Sequence, residues 1–94
     1  MHIITQKRIR EAQAKWPREA TALADWEKVM KRAEPANYAE MKAVFNWLRK
    51  VGTFHVFDIG GNKRRLIARV EYQWKRVYIR AVPDHEQYDR GDWK

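Results

Sequence analysis

The sequence predicts one α+β domain over residues 1–94, with N-terminal helices packed on one face of a small antiparallel β-sheet and a short C-terminal helix. Three observations predict it. Up to about Leu48 the apolar residues recur at intervals of three and four, the period of a helix with one buried face. From Phe54 to Val82 they alternate, the period of a strand, and Gly60-Gly61-Asn62 interrupts the alternation with residues that tolerate positive φ. The stretch after Pro83 leaves the sheet pattern again. A chain of this length buries only about 60–65% of its unfolded surface, so the core is small and every element has to contribute to it.

Taken in order, His2-Ile3-Ile4 reads as a short edge strand. Thr5 is a residue type that caps helices, and Ile9, Ala12 and Trp16 carry the first helix to Pro17. A second helix near 18–33 sets Ala22, Trp26, Val29 and Ala33 on one face, with Leu23 and Met30 alongside. Lys28, Lys31 and Arg32 sit in its last turn, where they complement the helix dipole. Pro35 breaks the chain, and Asn37 with Glu40 has the spacing of a capping box for a third helix carrying Met41, Val44, Phe45 and Leu48. Trp16, Trp26 and Trp47 fall among apolar helix positions and are expected in the core, which leaves Trp74 and Trp93 as the exposed tryptophans and the candidates for base stacking. In the sheet, Leu66, Ala68, Val70 and Tyr72 share one face and Arg65, Ile67, Arg69 and Glu71 the other. In the last strand Val77, Ile79 and Ala81 alternate with Tyr78, Arg80 and Val82. Period two therefore brings Arg65, Arg69 and Arg80 out together on the face away from the helices, provided no bulge intervenes.

The charge distribution points to a polyanion. Twenty Lys and Arg against twelve Asp and Glu give a net charge of +8, and residues 60–80 alone hold seven bases (Lys63, Arg64, Arg65, Arg69, Lys75, Arg76, Arg80) against Glu71. Such a local excess is the electrostatic footprint of a nucleic-acid surface, the alternative being a merely solubilising face. There is no cysteine, and so no disulfide framework and no thiolate ligand or nucleophile. No apolar run reaches the roughly 18 residues that span a bilayer, and a cytoplasmic location without membrane contact is expected.

Catalytic options narrow quickly. The three His (His2, His55, His85) are far apart with no metal-ligand spacing, so no metal or other cofactor is expected, and there is no Ser for a triad. What remains is metal-free phosphodiester cleavage, in which the RNA's own 2′-hydroxyl is the nucleophile. That reaction needs a proton acceptor, a proton donor and cations on the phosphorane. His85, Arg65 and Arg80 cover these roles, with Tyr88 assisting proton transfer or stacking on a base. His85 and Tyr88 are three apart, on one side of a helix if the segment is helical. Lys63, Arg64, Arg69 and Arg76 are the further candidates for RNA contact. His55, amid apolar strand residues, reads as a core residue.

The motifs Met1-His2-Ile3-Ile4, Phe57-Asp58-Ile59-Gly60-Gly61-Asn62-Lys63-Arg64-Arg65-Leu66, Tyr78-Ile79-Arg80-Ala81-Val82 and His85-Glu86-Gln87-Tyr88-Asp89 resemble the HigB toxins, messenger-RNA interferases of the RelE-like superfamily. The resemblance runs over nearly the whole chain. It implies a RelE-like fold, metal-free cleavage of mRNA at the ribosome, and inhibition by a HigA-like helix-turn-helix antitoxin of a type II toxin-antitoxin system. By position it assigns function to Arg65, Arg80, His85 and Tyr88. Two positions depart from the family pattern: Asp84 stands where a Thr precedes the His, and Gln87 where a Glu precedes the Tyr. A non-catalytic basic module binding RNA or the ribosome, and an inhibitor of an acidic protein partner, are the rival readings of the same surface.

Overall fold

The structure, a computed structural model, describes residues 1–61, 64–91 and 93. Its elements follow in the order β1 (His2–Ile4), α1 (Gln6–Lys15), a 3₁₀ turn (Pro17–Glu19), α2 (Ala20–Arg32), α3 (Tyr38–Val44), β2 (Arg49–Val51), β3 (Phe54–Ile59), β4 (Arg64–Glu71), β5 (Arg76–Ala81) and α4 (His85–Arg90). The α+β class, the N-terminal helical layer and the short C-terminal helix are as the sequence predicts. The sheet is larger and mixed: five strands in the order β1-β5-β4-β3-β2, antiparallel throughout except where β1 runs parallel to β5.

Alternation in β3 and β4 sorts the side chains between two faces. Phe57, Ile59, Leu66, Ala68, Val77 and Ile79 pack against Ile9, Leu23, Trp26, Met30 and Met41 to form the main core. Burying a side chain of this kind is worth about 1.5–3 kcal/mol, which is why the helical layer settles on this face. Trp26, Phe45 and Phe57 meet edge to face or tilted, with ring centroids 5.1–6.1 Å apart. On the opposite face a smaller cluster of Val56, Ile67 and Trp93, with Phe54, Ala81 and Tyr88 against it, lies beneath the C-terminal segment.

Several sequence-based expectations shift. In α2 the buried stripe is Leu23, Trp26, Glu27 and Met30, while Val29 is exposed. Glu27 tolerates burial because the Arg10 guanidinium reaches both its oxygens, at 2.9 and 3.0 Å. Asn37 caps α3 by accepting the Glu40 N–H, but the Glu40 carboxylate accepts from Ala36 N–H, so the box is only half closed. The expectations for two tryptophans reverse. Trp47 lies beyond the end of α3 and is 75% exposed, whereas Trp93 is 6% exposed because the chain folds back onto the sheet. Trp74 is exposed as expected.

The last strand carries the bulge that would upset a strict alternation. Ala68 pairs with Ile79 but Ile67 pairs with Ala81, so Arg80 is the extra residue on β5. Beyond it the faces exchange: Ala81 joins the small cluster and Val82 packs on the main core. Thr5, at the junction of β1 and α1, has a left-handed backbone (φ 65°) and does not cap α1 with its side chain. Its hydroxyl instead accepts the N–H of Ile79, at 2.9 Å, and ties the start of α1 to β5 just before the bulge.

Candidate functional site

β3 and β4 form a hairpin whose register sets Asp58 opposite Arg65. Gly60 and Gly61, both with φ above +60°, open the connection between the two strands, while Asn62, the third residue of the expected turn, lies outside the described residues. Arg65 Nε lies 3.2 Å from Asp58 Oδ1, and Arg49, from β2, places Nη2 at 3.5 Å from the same oxygen. One carboxylate therefore holds two guanidiniums side by side on the face away from the helices. Arg65 is largely buried, which makes its orientation firm and its charge little screened.

The C-terminal segment closes over these cations. Asp84 caps α4 by accepting the Gln87 N–H at 2.7 Å, and the Gln87 side-chain carbonyl accepts the Asp84 N–H at 3.1 Å, a complete capping box. A Thr and a Glu at these positions have the chemistry for the same pair of bonds, so both departures from the family pattern preserve the start of the helix. α4 then presents Tyr88 toward the sheet. Its ring stacks on Trp93 at 5.5 Å and 8°, and it is approached by the guanidiniums of Arg65, at 5.5 Å, and Arg49, at 5.9 Å. Trp93 Nε1 donates to the Tyr88 carbonyl, and its ring meets Phe54 edge-on. Arg80, exposed and aimed by the bulge, donates from Nε to the Trp93 carbonyl at 2.8 Å. His85 is the first residue of α4, exposed, one turn before Tyr88.

The structure thus gathers Arg65 and Tyr88 in direct contact, Arg80 through Trp93, and His85 on the same short helix. Arg69 lies on the same face, its guanidinium 5.3 Å from the Tyr78 ring. Two of the remaining RNA-contact candidates are not brought to the site. Arg64 points to the helical side, 4.0 Å over the Trp16 ring and 3.6 Å from Glu19. Arg76 stands opposite Glu71 in the β4–β5 register with its guanidinium over the Trp74 ring, roughly 20 Å along the strands from Arg65 by strand rise. Lys63 lies outside the described residues. His55 is buried on the helical side as expected: its Nε2 shares a 2.6 Å hydrogen bond with the Tyr72 hydroxyl. Desolvation, and the nearby Lys50 charge, lower its pKa to about 4. Sequence reasoning missed Asp58, Arg49 and Trp93 as parts of the site. Opposite charges at facing positions of a hairpin were a readable signal for Asp58, while the other two had none.

Among the described residues no three His, Asp or Glu gather in a way that could hold a metal ion, and no helix is long and apolar enough to cross a membrane.

Residues 19–91 match the family model described as HigB_toxin, RelE-like toxic component of a toxin-antitoxin system. The chain is 34% identical over 92 residues to "mRNA interferase toxin HigB" of Escherichia coli strain K12, covering 95% of this chain and 88% of that protein. It is 34% identical to "mRNA interferase HigB" of Shigella flexneri over the same shares, and 31% identical to that of Escherichia coli O6:H1 over 96% and 90%. The chain belongs to the HigB toxin family. Arg65, Arg80, His85 and Tyr88 all fall within the matched residues, as do Asp58 and Arg49. Trp93, which completes the floor beneath Tyr88 in this HigB-family toxin, lies just past them.

Proposed function

We propose that this toxin is a metal-independent endoribonuclease that cleaves mRNA on the translating ribosome. The observation that carries the proposal is the meeting, on one sheet face, of Arg65 clamped by Asp58 with Tyr88, with Arg80 tied to Trp93 and His85 one turn before Tyr88 on the same helix. In this reading His85 accepts the 2′-hydroxyl proton and the 2′-oxygen attacks the adjacent phosphorus. The bond to the 5′-oxygen breaks, leaving a 2′,3′-cyclic phosphate, and the departing oxygen takes a proton from the Tyr88 hydroxyl. Tyr88 recovers that proton from solvent once His85 has released its own. Arg65 and Arg80 stabilise the charge that builds on the phosphorane. The Tyr88 ring is already stacked on Trp93 and flanked by two guanidiniums, so its hydroxyl, rather than a free ring face, is what it offers a substrate.

The toxin-antitoxin assignment requires a neutralising partner, which we take to be a HigA-like helix-turn-helix antitoxin forming a hetero-oligomer with the toxin in the cytoplasm, as a type II system. The names of the relatives, mRNA interferases, support the substrate. The test is primer extension on an mRNA translated with the wild type, Arg80→Ala or His85→Ala. Cuts within codons of the translated transcript, lost in both variants, are expected. RNA binding without any cut by the wild type would replace the nuclease with the non-catalytic binding module.

A further inference from the structure

A second feature of the same face adjoins the chemistry above and shares Arg80 with it. Beside Arg80, on the side toward β1, lies a groove of about 280 Å³ lined by Arg8, Phe54, Arg69, Tyr78 and Arg80, with Thr5 and Ile79 at its end. That volume is just under the roughly 300 Å³ at which pockets for small ligands begin, room for about one nucleobase. No carboxylate is among its described lining residues, while three guanidiniums are. Arg69 and Tyr78 face one another across β4 and β5, and the guanidinium lies over the ring at 5.3 Å. Flat aromatic and guanidinium surfaces are what unpaired bases stack on.

Arg8 comes from the helical layer, and its position is built in. Thr5 holds a left-handed backbone that a β-branched residue rarely adopts. Its hydroxyl accepts the Ile79 N–H, and its carbonyl accepts the Arg8 N–H at 3.0 Å. The first turn of α1 is thereby fixed to β5 at the residue before Arg80, and Arg8 stands at the rim of the groove.

We infer that this groove is a nucleotide subsite next to the cleaved phosphate, with a base stacked on the Arg69–Tyr78 layer and its backbone phosphate on Arg8. The inference rests on the nuclease reading for what lies next door, but its test does not depend on cleavage. Binding of the full-length toxin to a fluorescent hexanucleotide, 2′-O-methylated so that it cannot be cut, is followed by anisotropy over a range of salt. Tyr78→Ala should weaken binding roughly ten-fold with an unchanged salt slope, since stacking is lost and no ion is released. Arg8→Ala should weaken it and lower the slope of log K against log salt by about 0.7, the value for one phosphate contact on a single strand, and Arg8→Lys should restore that slope. Binding within two-fold of wild type in both alanine variants, or no binding by the wild type, overturns the subsite. Intact subsite behaviour with no cleavage of translated mRNA would overturn the nuclease reading and leave the groove standing.

Discussion

The two faces of the sheet use the same strands for opposite purposes. On the helical side the strand positions are mostly apolar, with Lys50 exposed on the edge strand β2: even His55 is held uncharged against Tyr72, and its Nδ1 has no hydrogen-bond partner among the described residues. On the other side Asp58, Arg65 and Arg69 come from the alternate positions of β3 and β4 and Arg80 from the bulge in β5, beside a small apolar cluster around Trp93. One face is closed by packing of α1–α3. The other is closed only in part, by a six-residue helix too short to persist without its cap and its tryptophan. The lesson is that stability and chemistry are separable here by strand parity, so a substitution should disturb one and spare the other.

The largest test of that separation is His85→Ala. Loss of a proton-transfer group should lower cleavage by about 10²–10⁴-fold, while thermal unfolding shows little change because the residue is exposed. Phe57→Ala, one residue from Asp58 but facing the helices, should do the reverse: unfolding in urea should show a loss of about 3–5 kcal/mol, with the site's activity per folded molecule largely retained. A pH series sharpens the contrast further. The unfolded chain binds a proton at His55 near pH 6.5 and the folded chain only near 4, so stability is present above 6.5 and is lost as pH falls toward 4. The slope from this residue is at most about 1.4 kcal/mol per pH unit, and His55→Phe should flatten it in denaturant midpoints measured between those limits. The smallest effect belongs to Asp84→Ala, which opens the α4 cap. It should cost about 1 kcal/mol locally, seen as faster amide exchange in residues 85–90 with the main core unchanged, and Asp84→Thr should recover most of it.

Much of this organisation was legible in the sequence, and the misses have physical reasons. β3 and β4 follow strict alternation because one face is buried, which is why Arg65 and Arg69 fell on the correct side. β2 was not foreseen: Arg49-Lys50-Val51 is a three-residue edge whose polar pattern carries no period. Counting helical turns past Val44 puts Trp47 in the core, but the helix ends there. Local pattern leaves Trp93 outside because it does not report where a segment folds back. Arg65, Arg80 and Tyr88 come together on the face away from the helices through Asp58 and Trp93. Arg64 and Arg76 do not, since charge density alone does not say which way a side chain points.

The parallel pairing of β1 with β5 has a consequence for how the chain folds. Residues 2–4 find their hydrogen-bonding partners at 76–78, more than seventy residues along the chain, so this edge of the sheet closes only through a contact of high sequence separation, the kind that slows folding. The Tyr88–Trp93 stack lies further along still, so the edge that anchors α1 and the cover over the cations both wait on the segment that follows β4.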